Sequence, residues 1–208
     1  MEAKKILITG STDGIGKLAA IQLAKDGHHI FIHGRNSNKL QRVVTEIEEI
    51  TQYTNVNGFA ADLSDLSQIK TMANEVLKSL PSLDILINNA GIFKTSVTQN
   101  AAGRDVRMVV NYLAPYLLTR ELLPLLEKTP NSRVVNLSSA AQSPVDLNSL
   151  SKNSELSMQQ AYAQSKLALT MWSFNLAEQL ENPSVIAVNP GSLLNTKMVQ
   201  EAYGQHWS

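Results

Sequence analysis

The sequence predicts an α/β protein built on a doubly wound parallel sheet. Three observations predict it. Short apolar runs alternate with amphipathic stretches from one end of the chain to the other. The runs are continuously apolar, as in strands that helices cover on both faces. A glycine-rich turn, Thr9-Gly10-Ser11-Thr12-Asp13-Gly14-Ile15-Gly16, joins the first run to the first amphipathic stretch.

Each element follows in order. Residues 5–10 (KILITG) read as a strand and 14–26 as a helix. Residues 29–34 form the second strand, and 38–50 a helix with its charges on one face. Residues 56–62 form the third strand. The helix over 67–80 takes Ser67 as N-cap, because a hydroxyl there can accept from a free first-turn N–H. Residues 83–90 form the fourth strand and 104–128 a long helix. Residues 133–139 form the fifth strand, 157–180 a helix and 184–189 the sixth strand. No repeat, low-complexity stretch or flexible linker interrupts them, so one domain is expected over 1–208. Within the long helix, Pro115 has no N–H, so the carbonyl of Asn111 loses its helical partner. A kink is expected there, with that carbonyl facing inward near Lys166.

Composition removes several function classes. The formal net charge is zero, which offers no basic patch for nucleic acid or an anionic membrane. The absence of cysteine excludes disulfides, thiolate metal sites and cysteine nucleophiles. No apolar run approaches the roughly 18 residues of a membrane span. The charged start runs straight into an apolar stretch and leaves no room for a signal peptide, so a cytoplasmic protein is expected. His28, His29 and His33 surround a strand start without cysteine partners and read as packed or solvated histidines; no metal site is expected. Glu46, Glu48 and Glu49 read as a solvated helix face, and Trp172 and Phe174 as packing or subunit-contact residues.

The glycine turn carries chemistry. Glycines allow a sharp turn and a close backbone approach to a pyrophosphate. The helix that follows would present free N–H groups and its positive dipole end to that anion. The spacing is TGxxxGxG, distinct from the GxGxxG dinucleotide fingerprint. The end of the second strand bears on which dinucleotide. An acidic residue there would accept hydrogen bonds from the ribose 2′-hydroxyl of NAD. This chain has His33-Gly34-Arg35-Asn36 instead. Arg35 can make a forked, charge-assisted contact to a 2′-phosphate, which favours NADP(H) over NAD(H).

Further motifs follow in a familiar order: Asp62-Leu63, Asn88-Asn89-Ala90-Gly91, Asn111, Ser138-Ser139, Tyr162-Ala163-Gln164-Ser165-Lys166 and Asn189-Pro190-Gly191. With the glycine turn, they make the chain resemble the short-chain dehydrogenases/reductases over nearly its whole length. The long segment between Ser139 and Tyr162, with Asp146-Leu147-Asn148 inside it, resembles the retinol-dehydrogenase-like and ketoreductase-like branch. The resemblance implies a Rossmann-type fold and hydride transfer between nicotinamide and a small-molecule carbonyl or alcohol. It assigns Gly10, Ser11, Asp13, Gly14, Ile15 and Gly16 to the cofactor loop. Asp62 and Leu63 would flank adenine, and Asn89, Ala90 and Gly91 would line the adenosine ribose and support the sheet centre. Pro190 and Gly191 would bracket the nicotinamide. Asn111, Ser139, Tyr162 and Lys166 would form the catalytic tetrad, with a water on Asn111 linking to the lysine.

The chemistry suits these residue types. An alkoxide left by hydride transfer needs a proton, and tyrosine's usual pKa of about 10 is too high for easy exchange at neutral pH. A nearby ammonium lowers it. Lys166 lies four residues after Tyr162, on the same helix face, and can also reach the nicotinamide ribose. The Ser139 hydroxyl, at the carboxyl edge of the sheet, can polarise the substrate oxygen.

The chain departs from the family pattern in two places. Asn195 stands where Thr or Ser is usual and Thr196 follows it, so either could meet the cofactor amide. Members also continue past this point with a substrate-covering segment and a seventh strand. The sixth strand would therefore leave an open apolar edge, which proteins normally cover. Either another chain covers it or the 208 residues are an incomplete version of a longer protein, and incompleteness is the expectation. A homo-oligomer is left open, as is a dinucleotide-binding regulator or scaffold without turnover.

Overall fold

The computed structural model describes residues 2–150 and 156–191. Strands β1 (Lys5–Ile8), β2 (His29–Gly34), β3 (Val56–Ala60), β4 (Ile85–Asn88), β5 (Arg133–Leu137) and β6 (Ser184–Val188) form one sheet. Their order is β3-β2-β1-β4-β5-β6, and every pairing is parallel. The chain therefore winds outward in both directions from a switch between β1 and β4. The helices are α1 (Gly14–Lys25), α2 (Ser37–Thr51), α3 (Leu66–Ser79), α4 (Val106–Met108), α5 (Ala114–Glu127) and α6 (Met158–Gln179). None of the described helices is long and apolar enough to cross a membrane.

Side chains that alternate along the strands build a core on each face. Ile6, Ile8, Ile30 and Ile32 pack with Ala20 and Ala24 of α1 and Leu40, Val43 and Ile47 of α2. Leu7, Phe31, Leu86 and Val134 point the other way, onto Ile69, Met72 and Val76 of α3 and Leu118, Leu122 and Leu125 of α5. Val185 of β6 joins this second core to Leu169, Trp172 and Leu176 of α6. Among the described residues β6 is an edge strand, and Ile186 is 42% exposed. Phe174 points outward, whereas Trp172 is buried edge-on against Tyr116.

Local chemistry sets the helix ends. Asp65, not Ser67, caps α3: its carboxylate accepts from the Ser67 N–H at 2.8 Å and the Ser67 hydroxyl at 2.6 Å. A carboxylate two residues upstream outcompetes the hydroxyl because it is charged and opposes the helix dipole. Ser157 caps α6 in a reciprocal pair with Gln160. The long helix begins later than residue 104, capped by Asp105, and is not uniform. Residues Val109–Leu113 form a π turn in which the Ala114 N–H reaches back to the Val109 carbonyl. Pro115 supplies the reason, since it cannot donate to Asn111 in an α register.

Candidate active site

The carboxyl ends of β1 and β4 part at the switch point, where open α/β sheets bind ligands. Two loops meet there. Thr9 joins them: its hydroxyl oxygen accepts from the N–H groups of Asn89 and Ala90, each at 3.0 Å. Asn89 answers by donating Nδ2 to the Thr9 carbonyl at 2.8 Å and the Gly10 carbonyl at 3.0 Å. Gly10 has φ +63°, and a Cβ there would stand 2.7 Å from the Ala90 Cα. A Cβ on Gly16 would overlap Asn89 Nδ2 and lie 2.7 Å from the Gly10 carbonyl oxygen. The glycines thus let α1 and the β4 loop close on the turn.

The turn is also braced from beneath by His33. Its Nδ1 accepts the Gly10 N–H at 3.0 Å, and its Nε2 lies 3.0 Å from the Ala61 carbonyl. The ring is therefore neutral, with its proton on Nε2, and links the ends of β1, β2 and β3. Burial outweighs the carbonyl contact and holds its pKa down at about 4. Ser11 is fully buried; its hydroxyl donates to the Ile8 carbonyl and accepts the His33 N–H, so that side chain faces inward. Asp13 caps α1 and pairs with Lys39 at 3.1 Å, and this hydrogen bond lowers its carboxyl pKa. Arg35 is exposed just past β2 and enters no ion pair with the described residues. Past β3, Asp62 accepts from the N–H and hydroxyl of Ser64, and Leu63 is buried. No group of three or more metal-ligating side chains lies together among the described residues.

At β5 and α6 the structure brings Lys166, Tyr162 and Asn111 together. Lys166 is 4% exposed, and its ammonium donates to the Leu137 carbonyl at 2.7 Å. Desolvation pushes its pKa down to about 8. The ammonium stands 5.8 Å from the centroid of the Tyr162 ring. Asn111 grips the chain after β4: its Oδ1 accepts the Ile92 N–H at 2.8 Å and its Nδ2 donates to the Ile92 carbonyl at 3.0 Å. The same Nδ2 reaches the Ser165 hydroxyl, which donates to the Tyr162 carbonyl at 2.7 Å. Ser139 lies two residues past the end of β5, and its hydroxyl accepts the Ala141 N–H at 3.1 Å. Ser138 pins that strand end to α6 through the Lys166 carbonyl and the Thr170 hydroxyl. Pro190 and Gly191 follow β6, with Gly191 at φ +89°. Asn195 and Thr196 lie outside the described residues.

Sequence reasoning gave no bonding role to Thr9, Ser138 or Arg107, and read His33 as a packed or solvated ring, which is buried but also bridges strand ends. It also missed a buried ladder in which Asn88 donates to Thr119 and Asn136, and Asn136 to Ser173. A polar residue inside an apolar strand (His33, Asn136) was the available signal, because such a group is buried only with partners.

Comparison with known proteins gives the chain a family and a fold. The family model for the short chain dehydrogenases matches residues 4–206. Retinol dehydrogenase 12 of Bos taurus is 34% identical over 204 residues, covering 96% of this chain and 64% of the relative. Polyprenol dehydrogenase of Homo sapiens is 35% identical over 208 residues, covering 95% of this chain and 62% of the relative. Human retinol dehydrogenase 13 is 33% identical, and the chain covers 58% of it. The chain thus spans about six tenths of these relatives' length. A short chain dehydrogenase from Shigella flexneri, crystallised with NADP, superposes with a TM-score of 0.81 at 29% identity, over 99% of this chain and 83% of its own. One from Escherichia coli, crystallised with NADPH, gives a TM-score of 0.80 at 29% identity, over 99% of this chain and 83% of its own.

Proposed function

Because the chain belongs to the short chain dehydrogenase family, we propose that it is an NADP(H)-dependent oxidoreductase acting on a carbonyl and its primary or secondary alcohol. The observation that carries this reading is the buried Lys166 ammonium beside the Tyr162 ring, one helical turn away on α6. Relatives named for retinol and polyprenol extend the proposal to apolar alcohols and aldehydes.

The residues suit a dinucleotide. Nothing lies within 4 Å of where a Cβ on Gly14 would stand, so there is room beside that glycine in the first turn of α1. A pyrophosphate there would meet the loop of Gly10, Asp13, Gly14, Ile15 and Gly16. Arg35 would take the 2′-phosphate, Asp62 and Leu63 the adenine, Asn89, Ala90 and Gly91 the ribose side, and Pro190 and Gly191 the nicotinamide side. When bound, the cofactor supplies or accepts the hydride.

The rest of the chemistry belongs to the chain. In the reductive direction Tyr162 donates its phenolic proton to the substrate oxygen, and in the oxidative direction it takes that proton back. Lys166 stabilises the phenolate; at a pKa of about 8 it exchanges protons readily near neutrality. Ser139 polarises the substrate oxygen. Asn111 holds the Ile92 peptide and Ser165, and the water relay to Lys166 belongs to the same proposal.

The test is to mix the protein and NADPH with a panel of ketones, aldehydes, retinal and a polyprenal, following loss of reduced-nicotinamide absorbance. Turnover that Tyr162→Phe abolishes is the expected result. NADPH binding with no turnover across the panel would support the regulator or scaffold reading instead.

A further inference from the structure

Beyond the Thr9 bonds to Asn89 and Ala90, Ile92 and Phe93 in the segment after β4 are held from one short stretch of chain. Asn111 binds both main-chain polar groups of Ile92. Arg107, one turn earlier, donates Nε to the Phe93 carbonyl at 2.8 Å. Its Nη1 donates to Asp105 at 2.9 Å, and the Asp105 carboxylate in turn accepts the Arg107 N–H at 2.7 Å. The Arg107 and Asp105 side chains are only 4% and 7% exposed. Burying such a pair costs desolvation that an apolar pair of similar volume would avoid. Packing alone therefore does not account for it, whereas holding the Phe93 carbonyl does. The Phe93 ring meets the Tyr162 ring edge-on, with centroids 5.1 Å apart and planes at 88°.

We propose that Phe93 is a positioning residue for Tyr162, and that the buried Arg107–Asp105 pair acts through it by fixing the Phe93 backbone. On α6 the Lys166 ammonium stands 5.8 Å from the centroid of the Tyr162 ring. Phe93 supplies a second wall, on a peptide that cannot shift without breaking the Arg107 and Asn111 bonds. The phenol is then aimed by two rigid elements, as a proton donor must be. Phe93 is also partly exposed, so its ring borders the space in which a substrate would approach Tyr162. The inference rests on the reading of Tyr162 as general acid/base.

The test uses the full chain with Phe93→Leu, Phe93→Tyr, Arg107→Lys, the Phe93→Leu/Arg107→Lys double variant, and Tyr162→Phe as control. Loss of an edge-to-face ring contact predicts a fall in kcat of roughly 2- to 12-fold for Phe93→Leu, with the KM for NADPH unchanged. Arg107→Lys keeps the charge but not the fork and should fall similarly; the double variant should be no worse than the worse single one. Phe93→Tyr should restore kcat and the pH profile. Independently of turnover, the phenolate difference spectrum between each variant and its Tyr162→Phe counterpart should show the Tyr162 titration displaced equally by Phe93→Leu and Arg107→Lys. Additive losses in the double variant, or an undisplaced Tyr162 titration, would overturn the proposal. If Tyr162→Phe itself retains full turnover, the acid/base reading has failed rather than the positioning.

Discussion

Acid should loosen this protein through His33. The ring is neutral in the fold, with Nδ1 accepting from Gly10 and Nε2 donating to Ala61, and a second proton would destroy the Gly10 bond. Its folded pKa of about 4 lies below the ordinary 6.5. For a histidine lowered in this way, the unfolded chain takes up the proton first. The stabilisation is therefore fully present above pH 6.5 and is lost as pH falls towards 4, below which the loss is complete. The gap between the two values, at about 1.4 kcal/mol per pH unit, amounts to roughly 3–4 kcal/mol. That is a large share of the 5–15 kcal/mol typical of a domain. The assay is urea unfolding at a series of pH values, for the wild type and for His33→Asn, whose amide oxygen can still accept from Gly10 but does not titrate. Other titrating groups are common to both, so the difference isolates His33. The difference should climb through this window with a slope of about one proton, roughly 1.4 kcal/mol per pH unit, and then level off. Parallel curves would refute the reasoning. NADPH affinity of the folded protein should weaken only as pH falls to about 4, where the folded ring takes up its second proton and the Gly10 bond is lost.

Three further perturbations follow from the site. Tyr162→Phe should leave folding and NADPH binding intact while lowering turnover roughly 100-fold or more, the scale of a lost general acid; steady-state kinetics beside a binding titration check it. Arg35→Ala should weaken NADPH by about 1.5–3 kcal/mol and NADH far less, as calorimetry on both cofactors would show; equal losses would remove Arg35 from the 2′-phosphate. Gly16→Ala forces a methyl into Asn89 Nδ2 and the Gly10 carbonyl, so it should cost roughly 1–3 kcal/mol in urea unfolding and most of the NADPH affinity. An alanine variant that melts and binds like the wild type would mean the loops separate freely.

What the sequence determined by itself was whatever depends on neighbours along the chain. All six strands and the main helices appear where hydrophobic periodicity and glycine punctuation place them, with ends moved by a few residues because caps compete locally, as Asp65 does with Ser67. The Tyr162–Lys166 pair was legible because four residues make one helical turn, and the break at Asn111 because Pro115 has no N–H. Tertiary structure alone decided which polar groups turn inward to hold the frame. Ser11 reads as a loop residue and proves to be an inward bolt, while His33 reads as a packed ring and proves to brace three strand ends. Thr9 and Asn89 are 80 residues apart, and Phe93 and Tyr162 meet only because β4 and α6 converge at one sheet edge. The physical reason is that a hydrogen bond or ring contact between distant segments leaves no periodic trace in either one. The partner is chosen by the strand order β3-β2-β1-β4-β5-β6, which only the folded sheet supplies.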